Sequence, residues 1–196
     1  MTEQVKLVYH LIMLNILPNQ LKNHPPTLGF CAAGSNAGKT TLITKLIPEL
    51  ANRNLRVSVI KHAHRQFDID HVGKDSYRIR EAGAVQTLIA SNKRWALMTE
   101  LPDGTDEANL EELLQQINPN YADLILVEGF KSAPIRKIEV YRASLNTPLL
   151  ASLDPNIIGV ASDAALNPNM NLAIPVLDLN NISKIADFIM QELIKP

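Results

Sequence analysis

Cysteine, net charge and long apolar runs are all scarce in this chain. A single cysteine, Cys31, excludes an internal disulfide and suits a reducing, cytoplasmic compartment. The 19 Lys and Arg against 20 Asp and Glu leave a net charge of −1. That balance gives no reason to expect a nucleic-acid or anionic-membrane surface. Any polyanion bound here is expected to be small and held at one site. The Val5–Leu17 stretch is apolar, but it carries Lys6, His10 and Asn15 and stops at Pro18. It is too short and too polar to span a bilayer. A signal peptide needs a basic start and a small-residue cleavage site, and neither is clear here, so the stretch is not expected to be one. There is no repeat and no low-complexity tract.

What remains is the composition of a soluble globular protein, 196 residues with 46% hydrophobic and 20% charged. That length suits one well-buried domain and is short for two. Residues 1–26 read as an N-terminal extension, packed on the domain or on a partner. Asn23-His24-Pro25-Pro26 separates it from residues 27–196, which read as a single nucleotide-binding domain.

The organising stretch is Ala33-Gly34-Ser35-Asn36-Ala37-Gly38-Lys39-Thr40-Thr41. The apolar run Leu28–Ala32 precedes it and reads as a buried strand. Leu42, Ile43, Leu46, Ile47 and Leu50 follow at helical spacing. Strand, small-residue turn, Gly-Lys-Thr and helix make the context of a phosphate-binding loop. Such a turn lets backbone N–H groups face an anion, and the new helix adds its unpaired amides and positive dipole end. Lys39 is expected to reach the outer phosphates, and the Thr40 hydroxyl to hold Mg²⁺. The general pattern places glycine where this chain has Ala33, which is tolerable if φ there is negative.

The helix after the loop is expected to run to about Asn52, with Pro48 kinking it or ending its first regular part. Arg56–Lys61 reads as a second strand, and Lys74–Ala82 as a helix with Gly83 at its C-cap. Ala84–Ala90 and Arg94–Thr99, joined by Ser91-Asn92-Lys93, read as a hairpin. The sheet is therefore expected to be mixed but mostly parallel. Leu110, Leu113, Leu114 and Ile117 mark another helix. Leu124–Val127 is a continuous apolar run, as expected of a central parallel strand. Lys137–Tyr141, Ile157–Ala161 and Leu172–Val176 are further strands, and Ile182, Ile185, Ile189 and Leu193 define a closing helix. Strands alternating with helices make a three-layer α/β domain.

Three further stretches carry candidate chemistry. Asp123–Gly129 is an apolar strand ending in Glu128, at the edge where ligands gather in open α/β sheets. Glu128 is expected near the Mg²⁺, holding a bound water or polarising the attacking one. Gly129 is expected to offer its N–H to the terminal phosphate. In His62–His71, Asp68 and Asp70 are candidate Mg²⁺ partners. His62, His64 and His71 could instead join those acids in a transition-metal site, or lie on a solvated loop. Ile158–Asp163 is an apolar strand ending in Ser-Asp. A carboxylate at Asp163 could accept from guanine N1–H and its exocyclic amine, or could cap a turn.

Several of these segments occur together and in order. They are Gly-Lys-Thr-Thr-Leu at 38–42, Ile-Lys-His at 60–62, Asp-Ile-Asp at 68–70 and Gly-Lys-Asp-Ser-Tyr-Arg at 73–78. Arg-Glu-Ala-Gly-Ala at 80–84, Arg-Trp-Ala-Leu at 94–97 and Leu-Ile-Leu-Val-Glu-Gly-Phe-Lys at 124–131 follow. Over about residues 27–192 the chain resembles the molybdopterin-guanine dinucleotide biosynthesis adapter family. That resemblance implies a GTP-binding homodimer of P-loop NTPase fold with weak GTPase activity. It implies partnership with the guanylyltransferase that converts molybdopterin to its guanine dinucleotide, and with other molybdenum cofactor enzymes. Gly38, Lys39, Thr40 and Thr41 carry over as phosphate and Mg²⁺ residues, with Glu128 near the metal. The resemblance allows Lys74–Arg80 and Arg94 a place on a cofactor-facing surface, whereas physics alone leaves them as solvated helix and hairpin charges. Val-Ala-Ser-Asp at 160–163 departs from the Asn-Lys-x-Asp pattern of GTPases, which puts the guanine role of Asp163 in doubt. Other uses of the same loop are a metal-insertion GTPase, a small-molecule kinase and a binding module with a structural nucleotide. No stretch announces the acceptor pocket and lid that a kinase wants.

Overall fold

The computed structural model describes residues 24–63, 67–101, 108–166 and 172–194. Two compact units divide them. One takes the described residues up to His62 and from Leu110 onward, and the other is Ala63–Asn109.

The first unit is built on a six-stranded sheet. Its strands are β1 (Thr27–Cys31), β2 (Val57–Lys61), β5 (Leu124–Glu128), β6 (Lys137–Tyr141), β7 (Ile157–Ser162) and β8 (Val176–Asp178). They stand in the order β2-β5-β1-β6-β7-β8, and every pairing is parallel. All five residues of β5 are buried, which suits an unbroken run of Leu, Ile and Val with neighbours on both sides. Because β5 and β6 flank β1, the chain leaves β1 towards one edge and returns across it towards the other. Open α/β sheets bind ligands outside the C-terminal ends of such central strands, where the order reverses.

Helix α1 (Lys39–Ala51) buries Leu42, Ile43, Leu46 and Leu50, one apolar stripe at helical spacing. Helix α4 (Ile182–Ile189) buries Ile185, Ala186 and Ile189. Both pack into one cluster with Leu28 and Phe30 of β1, Leu124 and Leu126 of β5, and Ile138 and Val140 of β6. Ile125 and Val127 of β5 are equally buried but lie outside that cluster, as the alternation of the pleat requires. In the same unit, α3 (Leu110–Gln115) buries Leu110 and Leu114. Pro48 does not end α1, which continues through it to Ala51. The last strand, β8, begins at Val176, at the end of the expected Leu172–Val176 segment. Among the described residues, no helix is long and apolar enough to cross a membrane.

The second unit holds helix α2 (Asp75–Glu81) and the hairpin β3 (Gln86–Ala90) and β4 (Trp95–Thr99). Gly83 follows α2 with φ 103°, and its N–H closes on the Arg80 carbonyl at 2.8 Å, the glycine stop expected there. The hairpin pairs Ala90 with Trp95 and Gln86 with Thr99. Its antiparallel pairing forms a two-stranded sheet of its own, separate from the six parallel strands. Neither α2 nor the hairpin contains a buried residue.

Candidate functional site

The chain leaves β1 at Cys31, turns through residues 32–38 and enters α1 at Lys39. Two left-handed residues make the turn, Asn36 at φ 62° and Gly38 at φ 101°. Ala33 is not among the described non-glycine residues with positive φ, so alanine sits there without strain. Gly38 is the N-cap of α1 and has no side chain to cap it, and no acid lies in the first turn. Among the described residues, none accepts from the backbone N–H groups of Gly38, Lys39, Thr40 or Thr41. A helix start with free amides and no acidic side chain is an anion-binding site by construction. Ser35, Asn36, Thr40 and Thr41 are exposed, whereas Ala37 is buried and Gly34 is half-buried against the Thr147 methyl.

At the edge of this loop stands a closed ring of three side chains. The Thr40 hydroxyl donates to Glu128 Oε1 at 2.6 Å. Lys61 Nζ donates to Thr40 Oγ1 at 3.2 Å and to Glu128 Oε2 at 3.0 Å. Parallel pairing explains the meeting, since Lys61 closes β2 directly opposite Glu128, which closes β5. Thr40 comes from the first turn of α1. Lys39 and Glu128, the expected catalytic pair, thus flank Thr40, the first in sequence and the second by hydrogen bond.

Gly129 has φ 92°, and a Cβ there would stand 2.8 Å from that of His62, so only glycine fits. Its N–H points to the Phe30 carbonyl at 3.4 Å. The His62 N–H donates to the Glu128 carbonyl at 2.9 Å, and the His62 ring lies 4.8 Å from that of Phe130.

On the other flank, Arg142 follows β6 and reaches back to the loop. Its Nε donates to the Ala37 carbonyl at 3.0 Å, and its Nη1 to Asp163 Oδ2 at 3.2 Å. The second oxygen of Asp163 accepts from the Ala143 N–H at 3.1 Å. Both carboxylate oxygens therefore already hold partners within the protein.

The remaining candidates lie in the second unit. Asp68 pairs with Arg80 Nη2 at 2.6 Å and accepts from the Asp70 N–H at 2.9 Å. These two bonds, the backbone one first, hold its carboxyl below the usual range. Asp70 accepts from the Ser76 hydroxyl at 2.8 Å and from the His71 N–H. His64 lies outside the described residues. Among the described residues, no group of three or more His, Cys, Asp or Glu is arranged to hold a metal ion.

Lys61 and Arg142 are the two residues of this region that the sequence reading did not single out. The signal was partial. Each is a charge at or just past the C-terminal end of a strand, but β6 carries Lys137 and Glu139 and so lacks the unbroken apolar run that marks Glu128.

A parallel sheet in this order, a small-residue loop into α1 and an acid on the neighbouring strand hydrogen-bonded to the Gly-Lys-Thr threonine define a protein of P-loop NTPase fold. Residues 27–163 match the family described as "Molybdopterin guanine dinucleotide synthesis protein B". The chain belongs to that family. It is 47% identical over 167 residues to the molybdopterin-guanine dinucleotide biosynthesis adapter protein of Escherichia coli, covering 85% of this chain and 92% of that one. The Haemophilus influenzae protein of the same name is 45% identical over 169 residues, 86% of this chain and 90% of the relative. A crystal structure titled molybdopterin-guanine biosynthesis protein B superposes with a TM-score of 0.66 at 27% identity, over 86% of this chain and 99% of that chain.

Proposed function

We propose that this chain is a GTP-binding adapter with weak GTPase activity that assists the conversion of molybdopterin to molybdopterin-guanine dinucleotide. The observation that carries the nucleotide reading is the Thr40–Glu128 contact at 2.6 Å beside the N-cap and first-turn amides of Gly38–Thr41, which have no acceptor among the described residues. The phosphates lie against Gly34–Thr41, with the Lys39 ammonium on the outer ones. Gly129, next to Glu128, is the second candidate for the terminal phosphate.

Thr40 and Glu128 present hard oxygen donors of the kind Mg²⁺ takes, and they are already oriented towards each other. Mg²⁺ supplies charge neutralisation on the transferring phosphate when bound. Glu128 orients the attacking water, and the cation reading rests on Thr40 and Glu128. The names of the relatives support the pathway. The working form is a cytoplasmic homodimer, which gives the exposed hairpin of the second unit a partner, and the guanylyltransferase is its client.

The test is synthesis of molybdopterin-guanine dinucleotide by purified guanylyltransferase, with and without this chain. Wild type raises the yield and Lys39→Ala does not. Equal yields with wild type, Lys39→Ala and no addition contradict the proposal.

A further inference from the structure

We infer that Asp163 and Arg142 form a pair that positions the phosphate loop, with Asp163 acting through Arg142 rather than on a nucleotide base. Parallel pairing sets Tyr141 of β6 opposite Ser162 of β7. Arg142 and Asp163 are therefore the next residues outward on adjacent strands, at the edge that faces the loop. The carboxylate spends one oxygen on Arg142 Nη1 and the other on the Ala143 N–H. It fixes both the guanidinium and the first backbone turn after β6.

Arg142 passes this constraint to the loop. Its Nε holds the Ala37 carbonyl at 3.0 Å, and its guanidinium lies 3.3–3.8 Å from where a Cβ on Gly38 would stand. In a planar trans peptide the carbonyl and the next N–H point in opposite directions. Holding the Ala37 carbonyl towards Arg142 therefore turns the Gly38 N–H the other way, into the concave face of the loop. A loop that binds phosphate needs its amides aimed before the anion arrives. The same segment also lines the other end of the loop, where the Thr147 methyl lies 3.5 Å from where a Cβ on Gly34 would stand. Arg142 thus braces the helix end of the loop, and Asp163 anchors the brace.

This inference rests on the phosphate-loop reading above, and the experiment separates the two. Calorimetry measures Mg²⁺-supported binding of GTP and of inorganic tripolyphosphate, which has no base. Arg142→Ala and Asp163→Asn each weaken both ligands by the same factor, about tenfold, as expected for a lost charge-assisted bond. The double variant binds no more weakly than Arg142→Ala alone, because the two residues act as one unit. Without ligand, hydrogen exchange at the Ala143 amide, which donates to Asp163, accelerates in Asp163→Asn while the β5 amides keep their protection in both variants. That second readout also shows that the variants fold.

Loss of GTP binding with unchanged tripolyphosphate binding in Asp163→Asn overturns the inference and makes Asp163 a base reader. Losses that multiply in the double variant also overturn it, as does unchanged binding in Arg142→Ala when Lys39→Ala is weakened. If Lys39→Ala binds tripolyphosphate as well as wild type, the phosphate-loop reading itself fails.

Discussion

The Thr40 hydroxyl donates to Glu128 Oε1 at 2.6 Å, although 88 positions separate them in the chain. Lys61 closes the ring by donating to both. Its ammonium stands where a cation bound to those oxygens would compete with it. Lys61→Met removes the competitor and leaves Glu128 without its countercharge. Half-saturating Mg²⁺ for GTP binding is expected to fall by two- to fivefold, roughly the scale of an exposed ion pair. A magnesium titration checks this, and an unchanged or higher requirement contradicts the competition.

Cys31 closes β1 just before the loop, and its thiol is pushed up to about 12, first by burial and then by Glu139. It stays protonated near neutrality, and the thiolate is the reactive form. Ellman's reagent at pH 8 should leave the folded protein unmodified and react with one thiol on unfolding. The sign of the linkage follows. The unfolded thiol releases its proton near 9.0 and the folded one near 12, so this contribution to stability is lost as pH climbs between them. Cys31→Ala should show a shallower alkaline loss of stability than wild type. Rapid modification of the native protein would show that the thiol is accessible.

Asp123 precedes β5 and takes three hydrogen bonds from Arg56, two from its guanidinium and one from its backbone N–H. The guanidinium contact, with the backbone bond second, holds its pKa down at about 2 against an ordinary 3.8. The carboxylate therefore supports the fold above 3.8, and that support is lost as pH falls towards 2. Arg56→Ala should begin acid unfolding at a higher pH than wild type, read by circular dichroism. Coincident acid transitions would mean that the pair contributes nothing.

The hairpin exposes Leu88 and Trp95, each 60% accessible, and Val85 just before it is 68% accessible. An apolar hairpin with no buried residue gains most by pairing with a second copy. Sedimentation at micromolar concentration is expected to give twice the 21.7 kDa chain mass. Trp95→Glu should weaken association by about tenfold or more, the cost of truncating an aromatic anchor. A monomer at that concentration contradicts the homodimer.

Much of this architecture was legible because it rests on local signals. The Leu28–Ala32 run, the Gly-Lys-Thr junction and the stripe from Leu42 to Leu50 each specify their element, and β1, the loop and α1 follow. Glu128 was legible for the same reason, an acid ending an apolar strand. Its partner Lys61 was not, because their meeting depends on β2 pairing with β5, a long-range choice that no local pattern encodes. Arg142 escaped notice for a similar reason. Its role depends on the neighbouring positions of β1, β6 and β7, which bring three distant segments to one edge. The hairpin was recognisable from Ser91-Asn92-Lys93, but not its separation from the main sheet, since pairing partners are set by tertiary packing.

The central claim is that the Gly34–Thr41 loop binds the phosphates of GTP through Lys39. Calorimetric titration of GTP with Mg²⁺ into wild type and Lys39→Ala, with melting curves on both, tests it most directly. The expected result is saturable binding to wild type and at least about tenfold weaker binding to the variant, roughly 1.4 kcal/mol. The exposed start of α1 should keep the melting temperature unchanged. Equal GTP affinity in the two proteins, or no binding to wild type, would contradict the claim.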